Sequence, residues 1–476
     1  MPTVTFSRRA RQRSSLAGTS LLRGLLCALH CAFLSAILSA ILSAFLGATA
    51  LPLPAQSTGA APKEQGVARE TRERAHKILD QVRKDLKQHY YDSTFHGIDM
   101  DARFALADSA LNTAGNNNQL FGIIAQYMAD LNDSHTHFQP PDKVANVDYG
   151  FGLQIIGDSC FVIAVKGGSD AEKKGLAVGD VVLKLDAFKP ERKTFRTLTY
   201  VYFVLSPRPG LRLTVQSPGG APRQLDVMAK ITMGERVVDY SNLSTFSRYI
   251  SELEDASRRP EHFYRTFGDS VIIWRMPSFI ATEEGVTEMM KLVRKHRALV
   301  LDLRNNGGGY VATELHLVGH FFDRDVQIGT VRQRAGTKPM VAPAISKEPY
   351  RGMFVILVNS NSASASEITA RIMQLEARAV IVGDRTMGAV VTSIGLGHDV
   401  GFGKVLTYGV SVSVADVIMA DGNRLEGVGV MPDHLVRPTG ADLAARRDPA
   451  MAKALELAGV AMTPEQAGML FRPKPK

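Results

Sequence analysis

Between residues 271 and 383 short, almost wholly apolar runs alternate with amphipathic ones. "DSVIIWRMPSF", "RALVLDLRN", "MFVILVN" and "RAVIVGD" read as strands, and "EEGVTEMMKLVRKH", "ATELHLVGHFF" and "SEITARIMQLE" read as the helices around them. A strand that is apolar on both faces must be covered on both faces, so this alternation points to an α/β core built from parallel crossovers. In such sheets ligands gather beyond the carboxyl ends of the strands. The chemistry should therefore be sought in the loops that leave those runs.

Two of those loops stand out. "LVLDLRNNGGG" ends in Gly307, Gly308 and Gly309, where the lack of Cβ atoms lets a backbone come close to a substrate and its N–H groups stabilise an oxyanion. A tight turn or a phosphate loop would look the same, although no G-K-[ST] follows. "NSNSASASEI" places Ser360, Ser362, Ser364 and Ser366 between a strand and a helix, where the helix N-terminus favours a negative oxygen. Ser and Asn are also ordinary helix caps. A serine hydroxyl attacks a carbonyl only when a neighbour takes its proton, and residues 355 to 391 hold neither His nor Lys. The base must come from elsewhere in the chain.

The chain has 476 residues, enough for about three domains. Its first fifty residues hold five arginines and no acid, so the formal charge of +9 falls to +4 without them, a weak excess that does not argue for nucleic acid. That leader, "RRARQR" followed by "LLCALHCAFLSAILSAILSAFLGATA", reads as a secretory signal with a cleavage option near Ala50. The run from Gly24 to Ala48 is also long enough, at about 20 residues per span, to stay as a membrane anchor. Either way the expectation is an exported protein, periplasmic or secreted, that touches a membrane only through an uncleaved leader. Cys27 and Cys31 lie in the leader, which leaves Cys160 without an internal disulfide partner.

Residues 51 to 68 read as a linker, and residues 69 to 146 as a helical unit. There Ile78, Val82 and Leu86 recur four apart, and Ile123, Ile124, Tyr127, Met128 and Leu131 make a second stripe. Residues 147 to 232 hold short β-rich runs, a brief helix in "GSDAEKKG" and a hairpin with Gly219 and Gly220 at its turn. This arrangement resembles a PDZ domain, in which "GFGL" (Gly150, Phe151, Gly152, Leu153) would receive a peptide's C-terminal carboxylate while the peptide adds as an edge strand. A core over residues 233 to 440 and a tail over 441 to 476 complete the division. Neither H-E-x-x-H nor paired cysteines occur, and His316 and His320, four apart on a predicted helix, have no evident third ligand. They read as structural, and no metal or cofactor is expected.

"DLRNNGGG", then "LVNSNSASASEI", then "VGDRTMG", behind a PDZ-like segment, resembles the C-terminal processing, or tail-specific, peptidases and their tricorn and retinoid-binding-protein relatives over about residues 70 to 436. The resemblance implies a crotonase-like or ClpP-like α/β core, Ser364 as nucleophile, and an oxyanion site from the N–H groups of Gly308 and Ala365, with Gly309 beside them. The lysine of the Ser-Lys branch falls on Ala389, a methyl that accepts no proton; Lys404 is the nearest downstream lysine. The tricorn-type Ser-His-Ser-Glu arrangement fits better. "LNDSHTHF" would supply Ser134 and His135, with His137 as a possible substitute base, and "RLEGVGVMPDH" would supply Glu426. His135 would then take the Ser364 proton while Ser134 and Glu426 orient the ring. This implies a serine-type endopeptidase acting on peptides or unfolded proteins, in part by their C-termini. The missing lysine supports a second reading, a catalytically silent relative serving as a peptide-binding scaffold or chaperone.

Overall fold

The computed structural model describes residues 67–141, 145–233, 263–401 and 405–471. The leader, nearly all of the linker, and Lys404 lie outside these residues.

Helix α1 (Arg69–His89) forms because Ile78, Leu79, Val82 and Leu86 fall on one stripe and are all buried. The Asp99 carboxylate caps α2 (Met100–Leu111) and Asn116 caps α3 (Asn117–Ala129), each accepting N–H groups that the first turn leaves without a partner. The three helices bury Leu111, Leu120, Ile124 and Met128 together, and Val410 and Val412 from far along the chain join the same cluster. The chain then turns through residues 130–136 into β1 (His137–Gln139).

After β2 (Ala145–Asp148) come β3 (Phe151–Ile156), β4 (Ser159–Val165), the short α4 (Asp170–Lys173), β5 (Val181–Leu185), α5 (Phe195–Thr199), β6 (Gly210–Gln216), β7 (Pro222–Met228) and β8 (Lys230–Met233). Strands β3 to β7 form an antiparallel sheet in sequence order with β3 at one edge, and β2 pairs with β8. The turn between β6 and β7 holds Gly219 and Gly220 as the sequence predicts. Helix α5 runs on as a π-type turn through Tyr200–Leu205. This unit has its own core, including Ile155, Cys160, Val162, Tyr202 and Leu213. Burial pushes the Cys160 thiol up to about 12, which keeps it unreactive.

The unit is docked by one buried carboxylate. Asp384 accepts from Gly157 N and an Arg192 guanidinium nitrogen, both at 2.8 Å, and from Arg437 Nε at 2.7 Å. Such charge-assisted bonds are the strong ones.

The core runs β9 (Phe263–Phe267), β10 (Val271–Arg275), α6 (Glu283–Val293), β11 (Ala298–Asp302), α7 (Val311–Gly319), β12 (Val326–Gln333), β13 (Gly336–Ala342), β14 (Met353–Val358), α8 (Ala365–Leu375) and β15 (Val380–Gly383). It continues with β16 (Val391–Val400), β17 (Leu406–Met419), β18 (His434–Leu435), α9 (Gly440–Ala445), α10 (Pro449–Leu457) and α11 (Pro464–Ala467). The main sheet has the order β18-β15-β14-β11-β10-β9, parallel except for the β9 edge. Every residue of β11 is buried, as its unbroken apolar run requires.

Two features depart from the sequence reading. Strands β12, β13, β16 and β17 form a second, antiparallel sheet with β1, in which β17 pairs with β1, β12 and β16. Residues 441–471, read as a tail, are largely helical: Ala450, Met451, Ala454 and Leu455 pack beneath Val271, Val300 and Val355 and cover the second face of the main sheet. The apolar β strands need that cover, and α6 to α8 supply it on the other face only.

Glu314 on α7 is fully buried, and neither carboxyl oxygen has a hydrogen-bond partner. Burial holds its pKa well above the usual carboxylate range. A folded-state value above the unfolded one means the neutral acid is tolerated below about pH 4.3, and stability is lost as pH rises toward the folded value. Glu314→Leu is therefore expected to raise the thermal unfolding midpoint at pH 8 by about 2–5 °C and by less at pH 5. Calorimetry at the two pH values checks this; a lower midpoint at pH 8 would contradict it.

Candidate active site

Three neighbouring parallel strands, β11, β14 and β15, end side by side, and their outgoing loops converge. These are the glycine loop 303–310, the serine loop 359–364 and a strap of residues 384–390. Asn306 ties the first two together: its carbonyl accepts from Ala363 N at 3.0 Å and from Ser366 Oγ at 2.9 Å, while its side chain donates to Met276 O at 2.8 Å.

The four serines of the loop have different surroundings. Ser360 donates to Ile155 O, Ser362 to Leu303 O and Ser366 to Asn306 O, so these three hydroxyls hold backbone carbonyls. Ser364 donates to no acceptor among the described residues. It is half-buried and sits at the start of α8 with φ +57° and ψ −120°. A non-glycine residue at positive φ is strained and stays there only when its surroundings over-determine it. A sharp strand-to-helix turn of this kind projects a hydroxyl away from the backbone.

The glycine loop lies against this serine. A Cβ added at Gly308, whose φ is +98°, would come within 2.7 Å of Ser364 Cβ and 3.2 Å of Ala365 N. The expected pair of donors needs one correction: Gly308 N–H already donates to Asn306 Oδ1 at 2.9 Å. The N–H groups of Ala365 and Gly309 have no acceptor among the described residues. Asn306 folding back onto its own loop consumes the first donor and leaves the next one available.

A second arm arrives from the N-terminal unit. Asp133 Oδ1 accepts from His135 N at 3.0 Å and Thr136 N at 2.6 Å, an Asx-type turn that fixes the Ser134–His135 backbone. Ser413 Oγ on β17 also donates to it at 2.8 Å. Ser134 Oγ lies 2.6 Å from His135 Nδ1 and donates to Glu426 Oε2 at 2.9 Å, while Ser134 N donates to Glu426 Oε1 at 2.8 Å. Because the Ser134 proton goes to the carboxylate, Ser134 Oγ accepts from Nδ1–H, and the lone pair of His135 lies on Nε2. The structure thus brings Ser134, His135 and Glu426 together. His137 is apart from them, its Nδ1 donating to His135 O at 3.1 Å.

Glu426 also accepts from Val390 N at 2.7 Å, which joins this arm to the strap. The strap's Ala389 O accepts from Ser364 N at 3.0 Å. A continuous path therefore runs from Ser364 through residues 389–390 and Glu426 to Ser134 and His135. No hydrogen bond joins the Ser364 hydroxyl to the His135 ring. Burial pushes His135 down to about 4, partly offset by the charge of Asp133, and it raises Glu426 against the pull of Val390 N–H, the Ser134 side chain and Arg196. The imidazole is neutral at ordinary pH.

Four further residues, not identified from the sequence, shape the site. Asp133 sets the Ser134–His135 turn. Glu367, one turn into α8, accepts from the strap; burial pushes it up to about 7. Helix α5 touches both arms: Arg196 donates to Asp133 O at 3.1 Å, and Arg192, just ahead of the helix, donates to Arg385 O at 3.1 Å. At the other predicted site, Gly150 N–H donates to Asp148 Oδ1 at 2.8 Å, and Phe151, Gly152 and Leu153 lie on the edge strand β3. His316 donates to or accepts from Thr287 Oγ1 at 2.8 Å, with its ring edge-on to His320.

Residues 271–436 match the family model for peptidase family S41. A carboxyl-terminal-processing protease of Synechocystis sp. is 24% identical over 379 residues, covering 76% of this chain and 80% of that protein. The tail-specific protease of Haemophilus influenzae is 32% identical over 151 residues, which is 31% of this chain and 21% of that protein. Among solved structures, mature CPAF superposes with a TM-score of 0.58 at 15% identity, over 79% of this chain and 94% of that one, a likeness of fold. The chain is thus homologous to C-terminal processing and tail-specific peptidases.

The contact between Gly308 and Ser364 leaves no room for a methyl. If Ser364 is the nucleophile, displacing it by about 1 Å in Gly308→Ala is expected to slow its labelling by a fluorophosphonate about 100-fold. Intact-mass kinetics measure this, and a rate within about threefold of the parent would contradict the packing described.

Proposed function

We propose that this chain is an exported serine endopeptidase that cleaves peptides or unfolded proteins through an acyl-enzyme on Ser364, with His135 as general base. The observation that carries this reading is the Glu426 carboxylate, which hydrogen-bonds Ser134 on one side and the strap behind Ser364 on the other. The missing lysine at Ala389 is thereby answered by an imidazole oriented from a distant part of the chain.

In this mechanism the Ser364 oxygen attacks the scissile carbonyl while His135 Nε2 takes its proton. The ring becomes cationic, and Ser134 relays the field of Glu426 to it. The carbonyl oxygen, now negative, is held by the Ala365 and Gly309 N–H groups at the head of α8. Collapse expels the amine, which leaves with the proton from His135. Water then repeats the sequence on the ester, giving its proton to His135 and releasing the new carboxyl terminus and the Ser364 hydroxyl. Hydrogen bonds of this kind are often long without substrate and tighten on binding, so Ser364 and His135 close upon each other in the complex.

The small β domain is proposed to be PDZ-like and to take a substrate C-terminus as a strand added to β3. The internal bond from Gly150 N–H to Asp148 leaves the carboxylate to the following N–H groups.

Ser364→Ala and His135→Ala are each expected to lower hydrolysis of fluorescein-labelled casein by about 10³-fold or more, while Lys404→Ala stays within about threefold of the parent. Loss only in the lysine variant would transfer the role of base; full activity in Ser364→Ala would remove the nucleophile. A second expectation follows from the depressed imidazole pKa. Since the neutral ring is the working form, kcat/KM should hold as pH falls below 6 and reach half its plateau near the value of about 4 given by burial. An acid limb at or above the ordinary histidine pKa of about 6.5 would contradict it.

A further inference from the structure

The strap that carries Ala389 is suspended between two carboxylates, Glu426, which is half-buried, and Glu367, which is buried. Glu426 takes Val390 N–H on one side. On the other side Glu367, fully enclosed on α8, receives Thr386 Oγ1 at 2.5 Å and Gly388 N at 2.7 Å on one oxygen, and Ala389 N at 2.8 Å and Ser364 N at 3.1 Å on the other. Thr386 Oγ1 in turn accepts from Val430 N at 2.6 Å, so its single proton is directed to Glu367. Four donors converge on one side chain and none of its oxygen capacity is left over, an arrangement that only an acceptor at both terminal atoms can satisfy.

Helix capping alone does not require this set. A cap needs the Ser364 N–H bond and no more, whereas three of the four donors come from residues 386–389. The same segment supplies Ala389 O to Ser364 N, and Ser364 holds a positive φ that its own side chain does not favour.

We propose that Glu367 is the positioning residue for Ser364. By gathering the strap and the Ser364 N–H onto one carboxylate, it fixes the strained backbone that aims the hydroxyl and holds Val390 at the reach of Glu426. This rests on the assignment of Ser364 as nucleophile. Where the lysine branch places a side chain at position 389, this chain uses the backbone of that residue in both directions: its N–H to Glu367, its carbonyl to Ser364.

The test compares full-length Glu367→Gln, Thr386→Val, Thr386→Ser and Ser364→Ala. Glutamine keeps the shape of the glutamate but turns one acceptor atom into a donor, so two of the four donors face an NH2 group. Displacement of a reacting group by about 1 Å can cost about 100-fold. Glu367→Gln is therefore expected to lower kcat on fluorescein-labelled casein about 100-fold, with KM within about threefold, and to slow fluorophosphonate labelling of Ser364 in proportion. Thr386→Val should lower kcat about 10-fold, and Thr386→Ser should restore it to within about twofold, because the hydroxyl rather than the methyl makes the bonds. A fold defect would instead track packing and favour valine over serine.

Glu367→Gln with kcat within about threefold of the parent would overturn the proposal, provided Ser364→Ala is inactive. So would a Thr386→Ser variant as impaired as Thr386→Val, and this pair decides the matter should Glu367→Gln fail to fold. Activity in Ser364→Ala would overturn the nucleophile assignment and the positioning role with it.

Discussion

One carboxylate holds this site together. Glu426 accepts hydrogen bonds from Ser134, 292 positions earlier, and from Val390, 36 positions earlier, so the helical unit and the crossover core meet at two oxygen atoms. A half-buried carboxylate is costly unless its oxygens are satisfied, and here two backbone N–H groups and one hydroxyl do so. Its partial desolvation favours this geometry, since moving either arm would leave the carboxylate with fewer donors. Strand β1 reinforces the meeting by pairing with β17, and the Asp133 turn then has little freedom in where it places the imidazole.

Glu367, which is fully buried, gathers the Ser364 side of the site as Glu426 gathers the His135 side. Glu367 sits at the head of the helix that starts at Ser364, and the strap between the two acids donates to both. Ala389 near its end is buried, so a long side chain there would displace the strap. The proposed relay and the absence of lysine are thus two aspects of one packing arrangement. The docking of the small β domain by Asp384, and the contacts of Arg192 and Arg196, place one short helix against both the strap and the Asp133 turn.

The parts of this architecture written as local pattern were legible in the sequence. Strands β11 and β14 are unbroken apolar runs, and the helices between strands show their spacing plainly. The second sheet was not, because "VTSIGLGHDV" and "LTYGVSVSVADVIM" mix Gly, Ser and Thr with valines and gain strand character only by pairing, the first with the second and the second also with β1 and β12. The tail helices look weakly apolar alone and are fixed by the open face of the sheet they cover. Within the site, the repetition in "SASAS" hides which serine is different. Ser364 is distinguished by its positive φ and its uncommitted proton, both set by neighbours distant in sequence. The use of Gly308 N–H by Asn306 is equally invisible from spacing. Glu367 had a signal available, the Ser-x-x-Glu spacing of a helix cap, but its other three donors come from a loop about 20 residues on.

The account turns on which nitrogen of His135 carries the proton. Nitrogen-15 NMR of the histidine rings near neutral pH, with His135 assigned by its loss in a His135→Asn variant, reads this directly. The hydrogen-bond order from Glu426 through Ser134 requires a proton on Nδ1 and a bare Nε2. A ring protonated on Nε2, or on both nitrogens, would leave no acceptor for the Ser364 proton and would contradict the relay.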